Sequence, residues 1–291
     1  MTIGTLEYFS DRIDFPEEYR NVIFPLIGRI EAEFYDDYKK IDADRCAEDG
    51  YISLAEKMGE PLDTVMLAVC VMCAVDSKKR YDSLGISDEI YYASQKDITI
   101  WAKRCCLERG HIGVYAYEWL NNFTDPHVFR LGRLQFERKK FPMGFTYTGH
   151  GITLNGGDEV INIHIPEDGP LVHEDVLESY RLAYRFFGLN GKRAFVTHTW
   201  LIYPKNREFL PEKSNIRDFM DDYEILFYDE RAYSSNLWRV FGRRDSYEPA
   251  TLPRENSLQR NMADYLAAHD CISGEGYGLF VFDGEEIIKE L

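Results

Sequence analysis

The feature that most constrains this chain is a strand, a helix and a second strand between residues 159 and 203. Glu159 to Ile165 alternates, with Ile161, Ile163 and Ile165 on one face and Val160, Asn162 and His164 on the other. After a short loop, His173 to Phe187 places Val176, Leu177, Tyr180, Ala183, Tyr184 and Phe187 on one side of a helix. Ala194 to Tyr203 reads as a second strand, ended by Pro204. Strands joined through a helix in this way form a crossover and lie parallel or nearly so. The second half of the chain is therefore α/β in character.

The flanking segments extend that sheet. Phe129 to Arg138 alternates imperfectly and is read as a strand, and Phe145 to Thr148 as another. Ile152 to Leu154 runs into Asn155-Gly156-Gly157, a tight-turn sequence, which predicts a hairpin returning through Glu159 to Ile165. Thr148-Gly149-His150-Gly151 precedes a strand and not a helix, so it reads as a turn and not a phosphate loop. Further on, Ser214 or Asn215 caps a short helix, Glu224 to Tyr228 is a strand, Ser257 to His269 a helix, and Tyr277 to Phe282 a last strand.

Before Pro126 the period is helical. Tyr19, Val22, Ile23, Leu26, Ile30 and Phe34 recur every three or four positions, with Pro25 expected to kink or split that helix. A second helix starts at Pro61 and carries Leu62, Met66, Val69, Cys70 and Cys73. Ser94 is expected to cap a third, closed by Gly110, and a fourth spans roughly 114 to 120. The 291 residues thus divide into a helical domain, 1–125, and a mixed α/β domain, 126–291, α+β overall.

Charge and cysteine usage narrow the function classes. A formal net charge of −16 repels phosphate backbones and anionic lipid, which disfavours nucleic acid and membrane surfaces as partners. It suits a small-molecule substrate of cationic character, or simply solubility. The longest apolar run, Val65 to Val75, is too short for a bilayer, and the N-terminus has no basic-then-apolar pattern. Neighbouring Cys105 and Cys106 do not suit a disulfide framework, so a reducing cytoplasm is expected. Cys70 and Cys73 lie in an apolar helix with no second pair at zinc spacing and read as small buried hydrophobes; no metal site is expected.

Four segments, LGRLQFER (Leu131 to Arg138), NIHIPEDGPL (Asn162 to Leu171), THTWLIYP (Thr197 to Pro204) and LPEKSNIRDF (Leu210 to Phe219), carry a resemblance. In this order the chain resembles the bacterial acyltransferase-domain-containing family, which joins a helical N-acyltransferase N-terminal domain to a GNAT-like C-terminal domain. The resemblance implies a mixed sheet with flanking helices and a second crossover strand that splays from the first. It implies acyl-coenzyme A as co-substrate, its pantetheine arm lying in the gap. It also implies transfer of the acyl group to an amine or similar small nucleophile, which needs a base, an acid and a polarised carbonyl.

By that analogy Ile165, Glu167, Asp168, Gly169 and Leu171 form the cofactor-binding rim. Gly169 suits it. Glu167 and Asp168 would face a diphosphate at a cost of about 1 kcal/mol or more per close pair, and Pro170 has no N–H to offer. His164 and His198, both inside crossover strands, are the expected catalytic pair, against a structural reading as hydrogen-bonded core histidines. Tyr180 and Tyr203 are candidates for the acid. Glu167, Asp168, His173, Glu174 and Asp175 form a polar cluster, read mainly as decoration of a helix first turn. The acidic rim also supports a second reading, a degenerate non-catalytic GNAT-like module binding a small ligand or a protein partner.

Overall fold

The structure, a computed structural model, describes residues 1–232, 237–242 and 248–289. It divides into two compact units. The first is Met1–Arg130 with Pro166–Asp168, and the second is Leu131–Ile165 with Gly169–Leu291.

The first unit holds helices α1 (Ile3–Arg12), α2 (Glu17–Glu33), α3 (Tyr35–Ala43), α4 (Glu48–Met58), α5 (Leu62–Ser83), α6 (Asp88–Arg109) and α7 (Tyr117–Thr124). α5 is its centre: every residue from Asp63 to Ala74 is buried, so this stretch of the helix has no polar stripe. Cys70 and Cys73 sit in that stretch. Burial raises both thiols, Cys73 to about 12, so they stay neutral packing groups.

Three helix boundaries differ from the sequence reading. α2 continues through Pro25, and the break falls at Phe34. α6 begins with Ser87 as its cap, the hydroxyl accepting from the Ile90 amide. Ser94 is interior to that helix. Its hydroxyl donates to the Ile90 carbonyl and accepts from the Arg130 amide, the back-bonding that a mid-helix serine uses in place of capping. α7 lies a few residues later than its apolar pattern suggests.

β1 (Phe129–Leu131) spans the division at Arg130, and the second unit contains β2 (Leu134–Lys140), β3 (Thr146–Gly149), β4 (Ile152–Asn155), β5 (Glu159–His164), α8 (His173–Phe186), β6 (Arg193–Thr199), α9 (Asn215–Met220), β7 (Glu224–Ala232), α10 (Trp238–Phe241), α11 (Ser257–Ala268) and β8 (Ile272–Phe282). Six strands form one sheet in the order β1-β2-β5-β6-β8-β7, and β3 and β4 form a separate pair. β5 and β6 are parallel, as a helical crossover requires, and β2, β7 and β8 run antiparallel to their neighbours.

The expected hairpin through Asn155-Gly156-Gly157 is a correction. β4 pairs with β3, and β5 pairs with β2. The tight turn is His150-Gly151, both at positive φ (49° and 78°), as a primed hairpin turn demands. The segment 129–138 is likewise two strands, broken at Gly132 (φ 71°); the imperfect alternation was the sign of that turn.

One face of the sheet is covered by α8, with Tyr180 packed at a tilt against Phe195 and Phe280. The opposite face carries Val160, Ala194, Val196, Tyr277, Leu279 and Val281, packed with Phe141, Tyr147 and Leu154 from the β3–β4 region. Trp238 and Phe241 are core residues, and Trp200 packs at the margin of the cluster holding Phe241.

In β8, Gly274, Gly276 and Gly278 alternate toward the turn at Trp200–Tyr203. A Cβ at Gly276 would meet the Ile202 carbonyl oxygen at 2.7 Å. Gly276→Ala is therefore expected to cost about 1–3 kcal/mol by overpacking, read as a lower urea midpoint with unchanged slope; an unshifted midpoint would show that the turn yields freely.

Candidate active site

Strand pairing builds the site. β6 is paired with β8 along its whole length, from Arg193–Phe282 to Thr199–Gly276. β5 is paired with β2 up to His164–Gln135. Between β5 and β6 the register contains only Ile161–Phe195 and Asn162–Val196. Beyond those pairs each strand follows its outer partner, and the two separate. The buried Thr197 side chain enters the divergence and donates from Oγ1 to the Ile163 carbonyl at 3.0 Å. Pro166, which has no N–H, follows β5 after Ile165.

His164 and His198 both stand two residues past the last bonded pair, on the face opposite α8. The structure thus brings them to one level on either side of the divergence. Each meets a glutamate from its outer neighbour. His164 Nε2 is 2.8 Å from Glu137 Oε1, which also accepts from the Asn162 amide at 3.0 Å. His198 Nε2 is 3.5 Å from Glu275 Oε2. Both rings remain partly open to solvent, His198 about half exposed (49%) and His164 less so (27%).

Burial by itself would raise the Glu137 carboxyl. The hydrogen bond and charge of His164, with Lys139 and Asn162, outweigh it and hold the group below the usual carboxylate range.

The row continues outward. Tyr277 is opposite His198 on β8, and Phe227 is opposite Tyr277 on β7. Tyr277 is more than nine-tenths buried, and burial pushes its phenol up to about 12. It therefore stays protonated at neutral pH. Among the described residues its hydroxyl has no hydrogen-bond partner, and its ring lies 6.1 Å from that of His198. Tyr277 and Glu275 were not singled out from the sequence. Their signal is the run Ser273-Gly274-Glu275-Gly276-Tyr277-Gly278: glycines on the packed face leave Glu275 and Tyr277 together on the other.

The tyrosines considered from sequence serve elsewhere. Tyr180 is fully buried and donates to Asp222 at 3.1 Å, and Tyr203 donates to Glu230 at 2.6 Å. Both lie on the α8 side of the sheet.

In the segment after β5, Ile165 is half-buried and Leu171 buried. Neither carboxylate is bare: Glu167 forms an ion pair with Arg104, and Asp168 pairs with both terminal nitrogens of Arg130. These pairs belong to the helical unit, where a cleft of about 350 Å³ is lined by Ile100, Lys103, Arg104 and Leu107 with Glu167 and Asp168. In the second unit the Arg133 guanidinium donates to the Gly169 and Pro170 carbonyls. The sequence cluster containing His173 is dispersed, since His173 turns to Asp222 at 2.9 Å. Burial raises the Asp222 carboxyl, with His173 and Tyr180 offsetting part of the rise.

One group in the helical unit has metal-like spacing: Asp63, Cys105 and His111. Arg109 already holds both Asp63 oxygens at 2.7 Å, and His111 Nε2 sits 2.9 Å from one of them. Burial and the Asp63 charge push the Cys105 thiol up to about 12. A neutral thiol beside a neutralised carboxylate is a weak ligand set.

Comparison with known proteins returns two family matches: residues 4–125 match an N-acyltransferase N-terminal domain, and residues 128–280 a GNAT-like C-terminal domain. No curated protein matches. Solved structures with a similar fold include an acyltransferase in complex with decanoyl-CoA and teicoplanin (TM-score 0.70, 19% identity, 97% of this chain and 87% of that one). Others are an acyltransferase mutant with octanoyl-CoA (0.70, 19%, 95% and 87%) and an acyltransferase with decanoyl-CoA (0.63, 18%, 94% and 98%).

The Glu137 pairing has a pH signature. A carboxyl held low in the folded state stabilises above its unfolded pKa, and that contribution disappears as pH falls through the folded value. Glu137→Gln is expected to cost about 1 kcal/mol near pH 6, after discounting for partial exposure. The difference from wild type should narrow as pH falls below the usual carboxylate range, as followed by urea melts at pH 6 and at that lower pH. An equal gap at both would mean that the charge plays no part.

Proposed function

Because the chain belongs to the family that joins an N-acyltransferase N-terminal domain to a GNAT-like C-terminal domain, we propose that it moves an acyl group from acyl-coenzyme A to the nitrogen of a small, cationic amine. The observation that carries this reading is the short pairing of β5 and β6, with His164, His198 and Tyr277 on one face at its mouth. A thioester arm needs unpaired strand edges to lie along. Parallel strands bonded along their full length offer none.

The chemistry follows from the groups present. The amine arrives as an ammonium and gives up a proton to one of the imidazoles, each oriented by its glutamate. The free nitrogen attacks the thioester carbonyl. The C–N bond forms, the tetrahedral carbon expels the thiolate, and the C–S bond breaks. The imidazolium passes that first proton to solvent; Tyr277, protonated and without a competing partner, donates its proton to the sulfur, and the proton shed by the new amide nitrogen passes through the histidine to restore the phenol. The net products are an amide, free coenzyme A and one proton released to solvent. Similar folds have been solved with decanoyl- and octanoyl-coenzyme A, which makes medium chains the first donors to test. Arg104 and Arg130 neutralise the rim carboxylates, which lowers the electrostatic cost of a diphosphate near Glu167 and Asp168. Six free cysteines, four of them buried, suit a reducing, cytoplasmic setting.

Calorimetric titration with decanoyl-coenzyme A should give micromolar binding, weaker for free coenzyme A. His198→Ala and Tyr277→Phe should lower amine-dependent release of coenzyme A by about 10²-fold or more while donor affinity stays within a few-fold. Absence of binding at millimolar donor would leave the ligand-binding module as the reading. Full turnover in both variants would remove these residues from the mechanism.

A further inference from the structure

The two imidazoles at the divergence are not equivalent. His164 Nε2 lies 2.8 Å from Glu137 Oε1 and 3.0 Å from the Asn162 amide nitrogen, so that atom is already enclosed by its own neighbours. His198 Nε2 lies 3.5 Å from Glu275 Oε2, longer than an ordinary hydrogen bond. A nitrogen set about 2.9 Å from both atoms closes a triangle with them. An ammonium has N–H groups enough to donate to both at once, whereas a hydroxyl has a single hydrogen to give.

The strand endings open this contact on one side. Glu275 is two residues before Tyr277 on β8 and shares its face. β6 ends at Thr199, opposite Gly276 and one position short of Glu275. The chain then turns at Trp200–Ile202 toward the glycine face of β8, where the Ile202 carbonyl approaches Gly276. β6 therefore does not cover that flank of Glu275. On the other flank Asp229 of β7 faces Glu275 directly. Like charges at facing positions destabilise an antiparallel pair, and a cation received at Glu275 offsets that repulsion.

Beyond Tyr277 the row is filled with rings. Phe227 lies flat on Tyr277, with centroids 4.8 Å apart and planes 2° from parallel, and Phe145 covers Phe227 at 5.0 Å and 30°. Of the carboxylates bordering this aromatic row, Glu224 accepts from the Tyr147 hydroxyl at 2.8 Å and Asp229 pairs with Arg231 at 2.8 Å. Glu275 is the one that stands beside a base.

We propose that Glu275 binds the acceptor: its carboxylate holds the ammonium against His198 Nε2, so that protonated amines are taken in preference to uncharged nucleophiles. The proposal rests on the acyl-transfer reading and assigns the residue that sets its acceptor class. One N–H proton of the bound ammonium passes to His198. Glu275 retains a second N–H, which keeps the nitrogen in place as its lone pair is uncovered.

The test compares two acceptors of decanoyl-coenzyme A: hexylamine, an ammonium at neutral pH, and O-pentylhydroxylamine, an amine of the same length that is uncharged there. Glu275→Gln keeps the side-chain shape and removes a like charge opposite Asp229, so it should fold as wild type does. It should lower kcat/KM for hexylamine by about ten-fold or more, mainly through KM, and for O-pentylhydroxylamine by less than about three-fold. Equal losses with the two acceptors overturn the proposal, since a glutamate that merely placed His198 would affect both alike. So does a loss confined to decanoyl-coenzyme A affinity, which would assign Glu275 to the donor. If wild type turns over neither acceptor, the transfer reading fails, and calorimetric titration with hexylamine alone reads the site. There Glu275→Gln should bind about ten-fold more weakly; equal affinities, or no binding to wild type, overturn the proposal.

Discussion

The structure depends on a pairing that stops early. β5 and β6 share only two facing pairs, while each keeps its other neighbour to the end. A parallel pair in a sheet interior normally continues as far as both strands run, because each unmade bond leaves buried donors and acceptors to satisfy. Here the Thr197 hydroxyl supplies one replacement, reaching the Ile163 carbonyl that a strand amide would otherwise hold. The interruption is thus built into the strand by a side chain. The histidines, the tyrosine and the aromatic row all take their place from it.

Charge is arranged locally against the overall field. The chain is strongly acidic, and the segment after β5 carries two carboxylates. Arg104 and Arg130 meet them within the helical unit, and Arg133 binds the carbonyls that follow. A net charge describes long-range behaviour. It does not report which carboxylates are paired, and those pairs decide the charge that the segment after β5 presents locally. On the histidine face, Glu137 is hydrogen-bonded to His164 and Glu275 lies 3.5 Å from His198, while Glu224 and Asp229 border the aromatic row.

Much of this was legible in the sequence where local rules are strong. The crossover from Glu159 to Thr199 was readable because alternation and helical spacing are short-range patterns. The placement of His164 and His198 on one face followed from strand parity once the pairing was parallel. Legibility failed where partners are remote. Asn155-Gly156-Gly157 has hairpin chemistry, yet β5 pairs with β2. A turn sequence limits backbone angles but does not choose among competing edges. Ser94 looks like a cap because serine favours that role, but the carbonyl of Ile90 and the amide of Arg130 claim its hydroxyl. Tyr277 was hidden among 20 tyrosines; only its neighbours across β6 and β7 distinguish it.

The sequence by itself determined the division into a helical and a mixed half, the parallel crossover, the burial of α5 and the acidic character of the whole. These depend on periodicity and composition, which are sums over near neighbours. Tertiary structure alone decided where β5 and β6 part, which glutamate lies beside each histidine, which arginine pairs with Glu167 and which with Asp168, and that Phe145, Phe227 and Tyr277 stack in one row. Each of those is a contact between residues far apart in the chain. Its energy depends on register and distance, and no local pattern encodes either.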